Sequence, residues 1–423
     1  METTYQELWK DRKLYVPAMT YSGAKLFAAA FRSIGIDASE FPSSDDSGME
    51  LASKYLSGEE CFPLKVTAGD FLKTIRDNDF SKQRLALFMP TAQGPCRFGQ
   101  YAPFFRMLME SMSLSQDSVL VLSPSSKNAY EDLGNNSGEF IRTGWRALVC
   151  ADILRKLLLK TRPYEVNPGE TEQVYEICLE DAARTLEMPN QKTKTKLTAL
   201  VEVMKRSRDR FRGIPVRREE SRPLIGVVGE IFCRLNRFSN QNLVKKIEEY
   251  GGEVWLSDVS EWVWYTNSEL RRKLRMDGKK YSTAMLGAKI KNHVQKRDEH
   301  TLIAPLHEDF HGYEEPHDTD SFLALANPYL PQEGAYGEMV ISVAKAIYLY
   351  QKGADGIIDI SPFTCMNGTV TEAVYPRLSR DHDHLPVKNF YFDGTQADLD
   401  RDVGIFLELA RSYQRRKKNR RAA

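Results

Sequence analysis

The sequence predicts an α/β protein of two lobes with mostly parallel sheets and a helical connecting segment. Three observations predict it. Short, dense apolar runs alternate with helical patterns of 10–16 residues at both ends of the chain. Between about residue 140 and residue 212 the runs give way to three successive amphipathic helices. The 423 residues exceed what one hydrophobic core usually serves. The expected division is a first α/β lobe over 1–139 and a helical segment over 140–220. A second α/β lobe with its closing helix follows over 221–400, and 401–423 hold the end of that helix and a basic tail.

In chain order, KLYVPAMT (13–20) reads as a strand and SGAKLFAAAFRSIGI as the helix that follows, stopped at Gly35. IDASEFP gives a second short strand. A helix over 62–77 starts at Pro63, where a missing N–H costs nothing. RLALFMP (84–90) and SVLVLS (118–123) are buried strands on either side of the helix YAPFFRMLMESM. RPLIGVVGEIF (222–232) opens the second lobe as a strand, and SNQNLVKKIEEYGG reads as a helix capped by Ser239. EVWLSD (253–258), GIIDIS (356–361) and PVKNFYFDGT (386–395) supply the remaining strands, with a closing helix from Asp400.

Composition is ordinary for a globular protein, 42% hydrophobic and 28% charged. No apolar stretch approaches the length of about 20 residues that a bilayer span needs. The opening METTYQELWKDRKLYV places charges ahead of any apolar run, unlike a signal peptide. A cytoplasmic protein with no membrane partner is expected. Six of the cations lie between Arg415 and Arg421, so the formal net charge of +1 leaves −5 on the rest of the chain. A mildly acidic body does not match a nucleic-acid binder; the basic tail alone could touch RNA, DNA or anionic lipid, and the competing reading is a frayed, solvated terminus.

The six cysteines contain no CxxC pair, so zinc ribbons and ferredoxin spacings are absent. Cys61, Cys96 and Cys365 lie in GEECFPLK, TAQGPCRFGQY and DISPFTCMNGT, at loops or helix starts beside Gly or Pro. A helix N-terminus lowers a thiol pKa, and ligand sites in open α/β sheets lie beyond the carboxyl ends of the strands. These three form a candidate dispersed metal-ligand set. The competing reading is that they are small core residues. Cys150 and Cys178 fall inside amphipathic helices and read as core. Cys233, in GEIFCRLNRFSN, is a candidate fourth ligand. Arg234 and Asn240 in the same segment are candidate contacts for a substrate or partner. His307, His311 and His317, like His382 and His384, lack HExxH spacing and read as surface histidines rather than zinc ligands. Nucleophile-elbow and Walker A sequences are absent.

Taken together, GEECFPLK, PTAQGPCRFGQY, GEIFCRLNRFSN and ADGIIDISPFTCMNGT resemble the 2-hydroxyacyl-CoA dehydratase subunit family. The likeness runs over about residues 10–395 and is nearest to the branch linked to the ATP-dependent dehydratase activator. The resemblance implies Rossmann-like or flavodoxin-like lobes. It implies a [4Fe-4S] cluster, or a double-cubane variant, held by Cys61, Cys96 and Cys365. It further implies an electron-transfer or dehydratase-related (lyase) component acting on an acyl-CoA or similar small substrate. The implied partners are a separate ATP-dependent iron–sulfur activator and a second copy of the chain. The alternatives are a non-enzymatic scaffold or binding module of the same fold that lacks a cluster, and a zinc-binding protein.

Overall fold

The computed structural model describes residues 5–92, 94–123, 133, 137–189, 191–218, 221–316, 318–332, 337–395 and 398–422. It contains two four-stranded sheets, each wholly parallel, joined by helices. The first lobe runs α1 (Tyr5–Trp9), β1 (Arg12–Val16), α2 (Tyr21–Arg32), β2 (Ala38–Glu40), α3 (Asp46–Ser53), α4 (Phe62–Arg76), β3 (Arg84–Phe88), α5 (Tyr101–Ser111) and β4 (Val119–Leu122). Its strand order is β2-β1-β3-β4. The helical segment comprises α6 (Ser137–Thr161), α7 (Glu170–Glu187) and α8 (Thr193–Arg212).

The second lobe opens with β5 (Leu224–Gly229), α9 (Ile231–Leu235), α10 (Leu243–Glu249) and β6 (Glu253–Leu256). A helical insertion follows: α11 (Val259–Met276), α12 (Thr283–Ile303), α13 (Thr319–Ala324) and α14 (Met339–Gln351). β7 (Gly356–Pro362), α15 (Met366–Asp381), β8 (Val387–Phe392) and α16 (Leu399–Ala422) complete it. Its order, β6-β5-β7-β8, repeats that of the first sheet.

Period-two alternation along the strands explains the layering. Leu14, Val16, Ala86 and Phe88 pack on α2 and the helical segment, while Leu85, Leu87 and Met89 face α4 and α5. In the second sheet, Val227, Ile358 and Ile360 pack on α10 and α16, while Val228 and Ile357 face α14 and α15. Phe62 and Val66 of α4, in the first lobe, lie in the core of the second. The helix α2 is capped by the Thr20 side chain, which accepts from Gly23 N at 2.8 Å, and the chain leaves at the expected stop, Gly35, at φ +83°.

Three boundaries differ from the sequence reading. The first strand stops at Val16, because Pro17 cannot donate to a ladder. The strand expected to reach residue 232 stops at Gly229, and Ile231–Leu235 is a helical turn. Ser239 does not cap α10. That helix begins at Leu243 behind Asn242, which sits in the left-handed region, and the Asn240 side chain binds the amide of Leu243 at 3.3 Å.

Candidate functional site

Each sheet reverses its strand order between its first and third strands, at β1/β3 and β5/β7. Clefts form at such switch points, beyond the carboxyl ends of the strands. At the second switch point Gly229 turns the chain, at φ +112°. A Cβ there would sit 2.1 Å from the Ile360 carbonyl oxygen, so only glycine lets β5 pass this close to β7. Glu230 follows as the N-cap of α9. Its carboxylate accepts from Phe232 N at 3.0 Å and Cys233 N at 2.8 Å. Glu338, the N-cap residue of α14, accepts from the preceding amide, Ile231 N, at 3.2 Å. Two carboxyl groups therefore share one helix start.

The pair is electrostatically strained. Burial and the neighbouring Glu230 push Glu338 up to about 8. Burial also raises Glu230, against the pull of the two amides and Arg234. Glu338 is buried, and its Oε1 has no partner among the described residues. A protonated carboxyl there is a donor awaiting an acceptor.

Arg234 and Asn240 brace this loop. Arg234 is buried and donates to Gly229 O at 2.7 Å, with Nε left unpartnered. Asn240, also buried, donates to Cys233 O at 2.9 Å and Arg234 O at 3.1 Å. Asn236 links the lobes by donating to Ala18 O at 3.0 Å.

The three loop cysteines all stand at N-cap positions: Cys61 of α4, Cys96 of the 3₁₀ turn Arg97–Gln100 ahead of α5, and Cys365 of α15. Cys96 follows β3 and Cys365 follows β7, as the sequence predicts. Burial raises the Cys365 thiol to about 12, desolvation by the surrounding loops raises Cys96 although its surface is open to solvent, and the charges of Glu230 and Glu338 reach both. Cys233 is fully buried in α9 and is raised well above the ordinary thiol range by burial and by Glu230. The Cys61 sulfur lies 2.7 Å from the Tyr101 hydroxyl. Thiols from both lobes thus feel one carboxyl pair. Cys150 and Cys178 are fully buried on α6 and α7.

These groups do not form the ligand set expected from the sequence. Among the described residues, no three His, Cys, Asp or Glu side chains are grouped to hold a metal ion. The [4Fe-4S] cluster on Cys61, Cys96 and Cys365, its double-cubane variant and the iron–sulfur electron-transfer role are therefore overturned, and so is zinc. The local reasons are visible. Cys61 is engaged with Tyr101, Cys96 is exposed, Cys365 is half-buried over its own helix amides, and Cys233 is sealed in the core. His317 and Gln93 lie outside the described residues.

Sequence reasoning missed Glu338. Its one signal is an acidic residue directly ahead of the apolar run MVISVAKAI, which reads as an ordinary first-turn acid until the fold buries it. A cavity of about 230 Å³ lies elsewhere, between Arg106, Met109 and the edge strand β4. Among the described residues, no helix is long and apolar enough to cross a membrane. No protein-family model matches the chain, and no curated protein matches it significantly.

Proposed function

We propose that the chain is a small-molecule binding module on the two-lobed plan of the 2-hydroxyacyl-CoA dehydratase subunits, without their cluster. On this reading both lobes are flavodoxin-like, in keeping with the second-first-third-fourth strand order of each sheet. The ligand lies in the cleft between the strand ends, bounded by Cys61 and Cys96 from one lobe and Glu338 and Cys365 from the other. The single observation that carries the reading is the buried, unpartnered Oε1 of Glu338, beside a helix start whose amides are otherwise engaged.

A buried polar atom without a partner is costly, and a ligand acceptor removes that cost. The matching ligand chemistry is a carbonyl or carboxyl oxygen that accepts from protonated Glu338, as in a short carboxylic acid or its thioester. Without a cluster there is no electron acceptor for an ATP-dependent activator, so the ligand itself is the expected partner. Thermal melting at pH 7 with short-chain 2-hydroxy acids and their CoA thioesters tests this. A saturable rise that Glu338→Ala abolishes supports the module. A panel with no effect on either protein leaves the cleft a structural joint and sinks the reading.

A further inference from the structure

The hairpin formed by α11 and α12 carries a feature that the cleft does not use. Its outer part, residues 273–291, holds the exposed cations Lys273, Arg275, Lys279, Lys280, Lys289 and Lys291 against one acid, Asp277. That places +5 on a stretch of 19 residues and leaves −4 on the rest of the chain. None of the six cations forms an ion pair with a described residue, although other cations of the same helices do: Arg271 reaches Asp320 and Arg272 reaches Glu269. Four large apolar side chains are exposed among them. Met276 is 69% exposed and Tyr281 92%, at the tip, and Leu286 and Ile290 follow one helical turn apart on α12.

We propose that this tip docks on an anionic phospholipid surface. Charge complementarity carries the assignment: a stretch of +5 fits a negatively charged plane, and the apolar side chains between the cations fit its acyl boundary. A hairpin-to-hairpin dimer would set +5 against +5. Protein interfaces are depleted in lysine, and five of the six cations are lysines. Nucleic-acid contacts go mostly to phosphate and sugar, which would leave much of the exposed apolar surface of Met276, Leu286 and Ile290 in water.

The test is co-sedimentation of the full chain with vesicles of phosphatidylcholine alone and of equimolar phosphatidylcholine and phosphatidylserine. Binding to the anionic vesicles only is expected, weakening as salt is raised. Lys279→Glu with Lys280→Glu should cut partitioning about tenfold or more. Arg415→Glu with Arg416→Glu changes net charge equally in the tail and should leave most of it. Leu286→Ser should weaken binding with charge unchanged, and circular dichroism checks that each variant folds. Equal binding to neutral vesicles, no binding, or loss on the tail substitution alone would overturn the proposal. So would retention on duplex DNA, or self-association through the hairpin, without vesicle binding.

Discussion

Glu230 and Glu338 bind consecutive amides of the same helical turn, Glu338 at Ile231 and Glu230 at Phe232 and Cys233. Two carboxylates at one helix start cannot both ionise cheaply in a buried setting, so the fold holds a proton there. This has a direct consequence for stability. Glu338 is raised from 4.5 to about 8. Its contribution is fully present below pH 4.5 and is lost as pH rises through 8. Glu338→Gln keeps the shape without the titration. The variant should gain about 1–3 kcal/mol relative to the wild type between pH 6 and pH 9, read from urea midpoints. Parallel pH profiles for the two proteins would refute the shared proton.

Gly229→Ala tests the turn that presents Glu230. Its positive φ and the contact with Ile360 leave no room for a methyl group. A loss of about 2–4 kcal/mol is expected by thermal or urea denaturation. Gly35→Ala, with a positive φ and open space around it, should cost about 1 kcal/mol.

Asp298 joins the helical segment to α12. It accepts from Arg146 Nε at 2.7 Å and Arg142 Nε at 3.0 Å, and Arg146 and Asp298 are both fully buried. Burial opposes its ionisation, but the two arginines outweigh that and hold its carboxyl below the ordinary range. Its stabilisation is present above the ordinary carboxyl pKa and is lost as pH falls through the lowered folded value. Asp298→Asn strands Arg146 and should cost about 3–5 kcal/mol at pH 7, and less in acid.

The thiols should label in order of access. Iodoacetamide followed by mass spectrometry should modify exposed Cys96 first, then Cys61 and Cys365. Native Cys150, Cys178 and Cys233 should stay unmodified. The raised pKa of Cys96 means that its labelling should accelerate as pH rises above 9. Chelator added before a melt should leave the midpoint unchanged, since no described group holds a metal. A chelator-sensitive midpoint would restore the metal question.

Much of the architecture is legible in the sequence. The dense runs at 84–90 and 356–361 announce buried parallel strands, and the amphipathic periods of α6, α7 and α8 mark the connecting helices. The placement of Cys96 and Cys365 beyond strand ends is legible for the same reason, because a strand followed by Gly or Pro must turn at the sheet edge. What the three cysteines do there is not legible. A ligand set depends on distances between loops far apart in sequence, and nothing local fixes where the Cys61 sulfur points once Tyr101 offers it a hydroxyl. Glu338 is hidden for the opposite reason: its local pattern is that of a solvated helix start, and only tertiary packing buries it.

Phe62 and Val66 belong to the first lobe by sequence, yet they are packed in the core of the second. Swinging the lobes apart would strip both side chains, at about 1.5–3 kcal/mol each. The cleft is therefore a fixed slot rather than a jaw. On the proposed function, a ligand that reaches the buried Glu338 Oε1 has to loosen this joint first, and that cost is subtracted from its affinity. Heat or denaturant should likewise find no seam between the halves, so that the two sheets melt as a single cooperative unit.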